Sequence, residues 1–498
     1  MSKREIINNL TFGERVAEDE LSELSSYFVE TDQWNRIFSG KVDVVYGPKG
    51  SGKSAIYSLL LNRKSELLDR RILIIPAENP RGTTAFSELV SDPPTTELEF
   101  SGLWKLYFLS LIAQQLKDVK DNKPLDKLRK ILEKSGVLTN ESENRRWALR
   151  NVFDYVRALT RPESFEGGLQ LDPSTGMPSG FTGKITLREP TKSLRDKGFI
   201  SVDSLFDQVN DILIGQSLHI WLVIDRLDVA FVESQTLEKN AIRALFKVYL
   251  DLLSHLNISI KIFIRNDIWN RVSETGFREA SHITRSVTLT WDDQSLMNLL
   301  IRRVLKNPQL VTYYKVQPEE ILRNNNEQQN LFYKIFPDQV ESGEKKPKTF
   351  DWMLSRTYDG HKQSAPRELI HLLSSAREVQ LRYLENGNKE PIGDALFERS
   401  AIKEALPEVS RVRLKQTFYA EYPKYQPYLE KLSGEKTEQT QKNLSYIWGI
   451  DEQDALTIAQ ELVEIGFFEF RGTKQYPTFW VPFLYRDSLS LVQGSADL

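Results

Sequence analysis

Short apolar runs alternate with helical periodicity through the first half of the chain. Two helical patterns, Ser54–Arg63 and Ser234–Leu256, each lie between two such runs. This alternation predicts an α/β fold with a parallel sheet, whose strands are apolar because helices cover both faces. The predicted strands are Lys41–Tyr46 (KVDVVY), Arg71–Pro76 (RILIIP), His219–Ile224 (HIWLVI) and Ile258–Ile264 (ISIKIFI).

Between the second and third of these strands, the pattern predicts a helical insertion. Gly102–Val119 and Arg145–Leu159 have helical periodicity, whereas Arg161–Pro190 is rich in turn residues and predicts a long loop or a β-hairpin. The later part of the chain is mostly helical. Its polar stretches Gly343–Lys348 and Leu432–Asn443 are expected to be loops at domain joints.

The end of the chain combines an amphipathic helix with paired strands. Asp454–Ile465 has helical periodicity, and Phe467–Leu484 predicts two strands joined by a turn near Gly472. A hairpin after helices indicates a winged-helix-like domain, for which Arg471 and Lys474 are candidate DNA contacts. The helix before the hairpin is acidic and repels phosphate, so contact with a partner protein is favoured and DNA binding stays an alternative.

A glycine-rich segment follows the first predicted strand and precedes the first predicted helix. It reads GPKGSGKS and satisfies the phosphate-loop pattern G-x-x-x-x-G-K-[ST] in the strand-to-helix context that this pattern requires. Its glycines let successive backbone N–H groups face one phosphate at the N-terminus of the helix. Lys53 is expected to reach the β and γ phosphates, and Ser54 to offer its hydroxyl to Mg²⁺. The sequence therefore predicts ATP and Mg²⁺ at a site formed by Gly47, Pro48, Lys49, Gly50, Ser51, Gly52, Lys53 and Ser54.

A second metal ligand is expected at the end of a neighbouring buried strand. Asp225 directly follows His219–Ile224, and ligands collect at the carboxyl ends of strands in open α/β sheets. Asp225 is therefore the candidate Walker B aspartate. The next residue is Arg226 instead of the glutamate that many hydrolytic P-loop proteins carry there, and the next carboxylate is Asp228, a further catalytic candidate. Capping of the following helix is the alternative role for both aspartates.

Polar residues that could detect the γ-phosphate occur at two further places. Arg265 and Asn266 end the strand Ile258–Ile264, although Arg265 and the nearby Asp267 could instead form a local ion pair. Arg367 lies near the start of an amphipathic helix (PRELIHLLSSAREV), where an exposed arginine is the alternative. Arg278 and Arg285 are weaker candidates for an arginine finger toward a neighbouring subunit, and the alternative for both is a solvated helical face.

The composition narrows the function classes. The 498 residues, 27% of them charged and none of them cysteine, suit a multidomain globular protein without disulfides, thiol catalysis or cysteine-held metal. With 66 basic and 69 acidic residues, the net charge of −3 does not predict nucleic-acid binding by the chain as a whole. No apolar leader and no run of about 18 apolar residues is present. We expect a cytoplasmic protein without membrane contact.

Four segments together resemble a known class of ATPases. The loop GPKGSGKS, the strand HIWLVID, the strand IFIRND and the segment SAPREL are similar to the Walker A, Walker B, sensor 1 and sensor 2 elements of AAA+-like and STAND-like P-loop ATPases. The resemblance is closer to bacterial KAP-like and related ATPases and spans most of residues 12–380. It implies that the neighbourhood of Tyr27–Thr31 lines an adenine pocket. The missing glutamate after Asp225 and the long insertion before it are departures from the pattern.

The resemblance also implies a layout in three parts. These are a three-layer P-loop NTPase core with a parallel sheet, a helical lid that carries Arg367, and a C-terminal winged-helix-like domain. The corresponding boundaries are 1–40 for lead-in helices, 41–290 for the core with an insertion at about 81–215, 291–400 for the lid and 401–498 for the C-terminal domain.

The function predicted from these features is an ATP-binding switch with slow Mg²⁺-dependent ATPase activity. Its nucleotide state would control domain arrangement, formation of a homo-oligomer or docking of a partner protein, as in other P-loop switches. Bacterial antiphage defence is a setting suggested by analogy. Two alternatives stay open: a DNA-binding initiator-like or repair ATPase that uses the winged helix, and a nucleotide-bound scaffold without turnover.

Overall fold

The structure is a computed structural model that describes residues 2–14, 24, 28–78, 94, 96–117, 122–139, 145–160, 184–227, 234–274, 276–473 and 475–496. The chain divides into two compact units. The first comprises residues 1–31, 48–52 and 290–498, and the second comprises residues 32–47 and 53–289. The segments predicted as a lid and as a C-terminal domain fall in the same unit.

Helices and strands alternate in the second unit, whereas helices dominate the first. The described α-helices are α1 (Lys3–Asn9), α2 (Asp32–Phe38), α3 (Lys53–Asn62), α4 (Lys64–Asp69), α5 (Glu97–Gln115), α6 (Lys123–Lys134), α7 (Arg145–Thr160), α8 (Lys192–Asp196), α9 (Val202–Gln216), α10 (Gln235–Leu252), α11 (Asn266–Ser273), α12 (Asp293–Leu305), α13 (Pro308–Tyr314), α14 (Pro318–Arg323), α15 (Asn325–Ile335), α16 (Thr349–Thr357), α17 (Pro366–Glu385), α18 (Arg399–Arg411), α19 (Tyr419–Glu421), α20 (Gln426–Lys431), α21 (Gln441–Trp448), α22 (Glu452–Glu464) and α23 (Phe483–Arg486). The strands are β1 (Val44–Gly47), β2 (Ile72–Pro76), β3 (Ile185–Thr186), β4 (Ile200–Ser201), β5 (His219–Ile224), β6 (Ile258–Arg265), β7 (Ser286–Thr288), β8 (Lys436–Thr440), β9 (Glu469–Gly472), β10 (Pro477–Trp480) and β11 (Val492–Ser495). A π-helical segment, Val412–Phe418, follows α18.

A five-stranded parallel sheet forms the centre of the second unit. Its strand order is β2-β5-β6-β1-β7, so β6 lies between the strand before the phosphate loop and the strand before Asp225. Gly47 at the end of β1 is in register with Arg265 at the end of β6. Because all five strands run in the same direction, the residues that follow β1, β2, β5 and β6 share one edge of the sheet.

Alternate residues of this sheet pack on opposite faces. Ile262 and Ile264 of β6 belong to a buried cluster that includes residues of α5 and α10. Phe263, which lies between them in sequence, instead meets Tyr57 of α3 edge to face, with ring centroids 6.1 Å apart. Successive side chains of a strand point to opposite faces, so helices cover both sides of the sheet. This confirms the predicted α/β class with a three-layer core.

The C-terminal part of the first unit has the winged-helix-like arrangement that the sequence predicts. Helices α21 and α22 precede the antiparallel hairpin of β9 and β10, and the four-stranded sheet has the order β11-β8-β10-β9. Phe468 and Phe479 lie in the same buried cluster as Ala455 and Leu462 of α22. The apolar face of the helix therefore packs on the hairpin, while its acidic face stays outside the core.

One sequence prediction in this region is wrong, and another is correct except for where its second strand ends. Leu432–Asn443 is not a loop, because β8 crosses it with Thr437 and Gln439 buried. The hydroxyl of Thr437 donates to the carbonyl of Gly494 at 3.1 Å, so polar pairing replaces the apolar alternation that marks most strands. The predicted second strand of Phe467–Leu484 ends early, and the short helix α23 begins at Phe483, directly after Pro482.

The predicted helical insertion is present in the second unit. α5 and α7 occupy the segments that show helical periodicity, and α5 is almost entirely buried. Most of Arg161–Pro190 lies outside the described residues; its described end contains β3, which pairs in parallel with β4. The insertion thus adds helices that bury apolar surface in the same cluster as the sheet.

A buried ion pair holds the other edge of the sheet, where β1 begins. Lys261 Nζ donates to Asp43 Oδ1 at 2.7 Å and to the carbonyl of Val42 at 2.7 Å, and the side chains of Lys261 and Asp43 are 2% and 3% exposed. Arg285 Nε lies 2.6 Å from the other carboxylate oxygen of Asp43. Burial lowers the pKa of Lys261, and the charge of Asp43 opposes that effect.

Replacing Asp43 by alanine is expected to lower the free energy of unfolding by about 3–5 kcal/mol, because it leaves a buried ammonium without its counter-ion. Chemical denaturation measures this change, with Asp69→Ala at an exposed position of α4 as the control. A loss no larger than that of the control would contradict the role given to this pair.

Candidate functional site

In the second unit, the first turn of α3 brings the predicted Walker residues together. Lys53 Nζ donates to the carbonyl of Gly47 at 2.8 Å. Ser54 Oγ donates to Asp225 Oδ2 at 2.8 Å, and Asp225 is 5% exposed. β1 and β5 are apolar and largely buried. The phosphate-loop pattern follows the end of β1 and Asp225 follows the end of β5, so Lys53, Ser54 and Asp225 lie at the carboxyl edge of the sheet.

The oxygen atoms of Ser54 and Asp225 are a suitable donor set for Mg²⁺. This hard cation prefers oxygen ligands and is usually held in proteins by one or two such groups together with substrate phosphates. A hydroxyl and a carboxylate in direct contact at the start of a helix provide that arrangement. The residues present therefore fit the predicted metal.

Residues 48–52 of the loop are grouped with the first unit. Gly50 and Gly52 have φ angles of +81° and +98°, a region that side chains with a Cβ disfavour. Within the described part of the chain, the buried hydroxyl of Ser51 has no hydrogen-bond partner, although the carbonyl of Ser51 accepts a bond of 2.8 Å from Trp291 Nε1. An unsatisfied buried hydroxyl in a loop of this shape fits a phosphate oxygen as the missing partner.

Arg367 lies directly beside this loop, in the first turn of α17. A Cβ added to Gly50 would be 3.3 Å from the Cβ atoms of Ala365 and Arg367 and 3.4 Å from Glu368 Oε2. The loop and the start of α17 therefore pack so closely that only glycine fits at position 50 without displacement. Among the described residues, Arg367 Nε is buried and has no hydrogen-bond partner.

Two acidic residues hold cations around Arg367 and the loop. Lys49 Nζ forms an ion pair with Glu421, and Arg413 of the π-helical segment donates to Glu368 Oε1 at 3.0 Å. Burial lowers the pKa of Arg413. The electrostatic interactions of its guanidinium with Tyr485, Glu368 and Glu421 have a larger effect, so this pKa is raised above its usual value. A cavity of about 150 Å³ is lined by Arg367, Glu368, His371, Val409, Val412, Arg413, Gln416 and Thr417.

At the end of β6, Arg265 is engaged by its neighbour. Its Nε and NH2 atoms donate to the two carboxylate oxygens of Asp267, each at 2.9 Å. The local ion pair considered from the sequence is therefore present, and Arg265 is 8% exposed. Asn266 begins α11 beside it. Arg265 is in register with Gly47, and Asn266 follows it at the same edge of the sheet; a sensing role for either residue stays a prediction.

The remaining residues named in the sequence analysis for this site follow Asp225, lie elsewhere in the second unit or fall outside the described residues. Arg226, directly after Asp225, has a φ angle of +62°, which lies in the left-handed region. Of the two weaker arginine candidates, Arg285 binds Asp43 and Arg278 begins a short 3₁₀ helix. Asp228, Tyr27 and Lys474 lie outside the described residues.

One carboxylate at the sheet edge was missed by the sequence reasoning. Glu78 follows β2 by two residues and is 1% exposed. The hydroxyl of Tyr57, on α3, donates to the carbonyl of Glu78 at 3.0 Å. The available signal was an apolar run followed by an acidic residue, RILIIPAE, which parallels HIWLVID.

The candidate DNA-contact residues lie on the hairpin of the C-terminal domain. Arg471 Nε donates to Glu469 Oε1 at 2.8 Å, and its guanidinium lies 3.9 Å from the centroid of the Trp480 ring. Phe479 and Tyr485 are fully buried, so both belong to the core, whereas Tyr476 is exposed. Arg471 is thus paired within its own domain.

The described ranges hold neither a cluster of metal-ligating side chains nor a membrane-spanning helix. They contain no group of three or more histidine, aspartate or glutamate side chains that could hold a metal ion by themselves. Across the same residues, every helix is too short or too polar to cross a bilayer.

Comparisons with known proteins add little to this geometry. No protein-family model and no curated protein sequence matches the chain. Among solved structures, the chain is similar to the ORC2 protein of Aeropyrum pernix in ADPNP-ADP complexes, with 11% identity over 92% of both chains and a TM-score of 0.30. For the ADP form of that protein, the identity is 12% over 95% of this chain and 91% of the other, with a TM-score of 0.29. At scores this low the similarity supports no assignment.

Proposed function

We propose that this protein binds ATP with Mg²⁺ at residues 47–54, hydrolyses it slowly, and uses the nucleotide state as a switch. The observation that carries the proposal is the hydrogen bond from Ser54, the residue after Lys53, to the carboxylate of Asp225. A phosphate-loop lysine, a metal-binding hydroxyl and a buried carboxylate at one sheet edge are the parts that nucleoside triphosphate chemistry uses.

Each of these residues has a defined task in that reaction. The ammonium group of Lys53, now bonded to the carbonyl of Gly47, provides charge-assisted donors for the β and γ phosphates. The backbone N–H groups at the start of α3 stabilise the same negative charge. Ser54 and Asp225 would hold Mg²⁺, which neutralises charge on the phosphates when bound.

A continuous set of contacts within the first unit supports the switch. The N–H of Gly360 donates to the carbonyl of Gly466 at 2.8 Å, and a Cβ at Gly360 would lie 2.3 Å from the carbonyl oxygen of Phe468. Lys362 forms an ion pair of 3.3 Å with Glu469. The segment that leads into Arg367 is therefore packed directly on the C-terminal domain, so a shift of Arg367 would be transmitted to it.

The ion pair of Lys49 with Glu421 gives the loop a second connection to that domain. A bound phosphate would compete with the carboxylate of Glu421 for the ammonium of Lys49, because both are anions within reach of one cation. ATP and ADP differ in the charge that they place at the loop. The two nucleotides would therefore favour different positions of Glu421 and of the α17 start.

The proposed function is tested by measuring phosphate release and oligomeric mass together, with Mg²⁺ and ATP, ADP or no nucleotide. Phosphate release with ATP, accompanied by an ATP-dependent change in mass or in protease sensitivity of the C-terminal domain, is expected. ATP binding without release would select the scaffold without turnover. Absence of ATP binding would contradict the proposal as a whole.

Replacing Arg367 by alanine is expected to reduce the discrimination between ATP and ADP about tenfold, because one charge-assisted hydrogen bond to the γ-phosphate is lost. Binding titrations with both nucleotides give the ratio of their Kd values. Arg382→Ala, at an exposed position of the same helix, is the matched control. A ratio that stays at the wild-type value would leave Arg367 without a sensing role.

A further inference from the structure

The first unit contains a cavity to which the proposed function assigns no ligand. Its volume is about 150 Å³, which is more than a single water molecule needs. One wall belongs to α17, and the other belongs to the end of α18 and the π-helical segment Val412–Phe418. The lining residues are Arg367, Glu368 and His371 on the first wall and Val409, Val412, Arg413, Gln416 and Thr417 on the second. Because π-helical turns occur frequently at functional sites, this cavity is a candidate binding site.

The charged side chains of this cavity favour an anion. Arg367 and Arg413 are both cations, and Glu368 is the one carboxylate among the described lining residues. Arg413 Nη1 donates to Glu368 Oε1 at 3.0 Å, and these two side chains are 15% and 6% exposed. The other lining residues therefore leave the charge of Arg367 uncompensated. Guanidinium groups bind oxyanions through several parallel N–H donors, so two of them at one cavity indicate an oxyanion as its ligand.

Three buried polar atoms of these lining residues have no hydrogen-bond partner within the described part of the chain. They are Nε of Arg367, Nε of Arg413 and Oε2 of Glu368. A buried polar group without a partner destabilises the folded state, so three of them at one cavity indicate partners supplied by a ligand. The two N–H groups need acceptors, whereas the carboxylate oxygen needs a donor. A ligand that satisfies all three carries negatively charged oxygen atoms together with a proton that it can donate.

We propose that this cavity binds inorganic phosphate, at a site separate from the ATP site proposed above. The phosphate oxygens accept hydrogen bonds from Arg367 and Arg413, and a P–OH group donates to Glu368. Sulfate has the same shape but carries no proton near neutral pH, so it would place an acceptor against the carboxylate of Glu368 and be rejected. A Cβ added to Gly50 would lie 3.4 Å from Glu368 Oε2, so bound phosphate would also adjoin the loop residues that belong to the first unit.

The first test measures the binding of inorganic phosphate by equilibrium dialysis without nucleotide, with sulfate as competitor. The full-length Lys53→Ala variant is the background, so that phosphate at the loop GPKGSGKS contributes little to the signal. Sulfate is expected to bind at least about tenfold more weakly than phosphate, because it cannot donate to Glu368. Glu368→Gln should reduce this preference to within about threefold, since an amide can also donate to sulfate. Glu378→Gln, at an exposed position of α17, is the matched control and should keep the preference.

Two further variants remove the site in different ways. Arg413→Met deletes one of its cations and is expected to weaken phosphate binding at least about tenfold. Arg411→Met, two residues earlier on the exposed side of α18, should leave this affinity unchanged. Val412→Phe keeps every charge and fills the cavity with an apolar ring, so it should abolish saturable phosphate binding. If Arg413→Met fails to fold, as shown by its circular dichroism spectrum, Val412→Phe and Glu368→Gln decide the question.

The outcomes separate this inference from the proposed function. Phosphate binding that exceeds sulfate binding and is lost in Val412→Phe would support the site, whatever the wild type does with ATP. Equal affinities for phosphate and sulfate, or phosphate binding that survives both Arg413→Met and Val412→Phe, would overturn it. Absence of saturable binding at phosphate concentrations on the order of 10 mM would also overturn it and leave a cavity that holds water alone. None of these results changes the expected binding of ATP, which is titrated on the wild type.

Discussion

Replacing Lys53 by alanine is expected to weaken ATP binding about a hundredfold. Lys53 is the lysine of the phosphate-loop pattern at the start of α3 in the second unit, and the bond of its ammonium to the carbonyl of Gly47 holds it at the end of β1. Charge-assisted hydrogen bonds to phosphate contribute about 2–3 kcal/mol, which corresponds to about a hundredfold in Kd. Titration with a fluorescent ATP analogue in the presence of Mg²⁺ measures this change.

The matched control for this substitution is Lys64→Ala, which removes an exposed lysine at the start of the next helix, α4. Its Kd for ATP should equal that of the wild type. Lys53→Ala should also lose phosphate release and any ATP-dependent change in oligomeric mass, since both depend on bound ATP. An unchanged Kd would show that the loop GPKGSGKS does not bind phosphate in this protein.

Replacing Asp225 by asparagine is expected to slow hydrolysis about a hundredfold while changing Kd for ATP far less. The amide keeps the shape of the side chain but removes the negative charge that would hold Mg²⁺ together with Ser54. Because the metal stabilises charge that develops in the transition state, its displacement acts mainly on the rate. Phosphate release measured over a series of Mg²⁺ concentrations checks this, and the variant should need more Mg²⁺ for half-maximal rate.

Asp211→Asn, at an exposed position of α9, is the control for this change in charge. It should leave the rate and the Mg²⁺ requirement unchanged. If Asp225→Asn hydrolysed ATP at the wild-type rate and with the wild-type requirement for Mg²⁺, the metal role would belong to another carboxylate.

The parts of the fold that the sequence predicted well are those in which a local pattern coincides with burial. His219–Ile224 is a strand with the predicted bounds, and β6 extends the predicted strand by a single residue. Both strands are largely buried, and a polar residue lies at the end of each, Asp225 after β5 and Arg265 in β6. Pattern and structure agree here because one physical cause, removal of apolar side chains from water, produces both.

Prediction failed where polar residues are buried by pairing with distant partners. β8 consists of polar residues only, and the buried Thr437 donates its hydroxyl to the carbonyl of Gly494, 57 residues away. A strand of this composition shows no apolar alternation, so it has the appearance of a loop in sequence. Its position depends on β10 and β11, which follow it by dozens of residues.

The candidate site shows the same division. The residues of the loop and Asp225 could be proposed from the sequence because the phosphate-loop pattern has a fixed spacing within a short segment and Asp225 directly follows an apolar strand. That Glu78 lies at the same sheet edge as Asp225 follows only from the pairing of β2 with β5, in which Pro76 is in register with Val223. The pairing of Lys49 with Glu421, 372 residues apart, has no signature in either segment.

The sequence by itself determined the α/β class, the phosphate-loop motif and the apolar strand that precedes Asp225, because these features depend on neighbours within about twenty residues. Only the tertiary structure decided the order of the strands, the ion pair that engages Arg265, the packing of Arg367 against Gly50 and the position of Glu78. These features arise when surfaces from distant segments are buried together. A pairing of that kind minimises the free energy of the whole chain and leaves no periodic trace in the segments that form it.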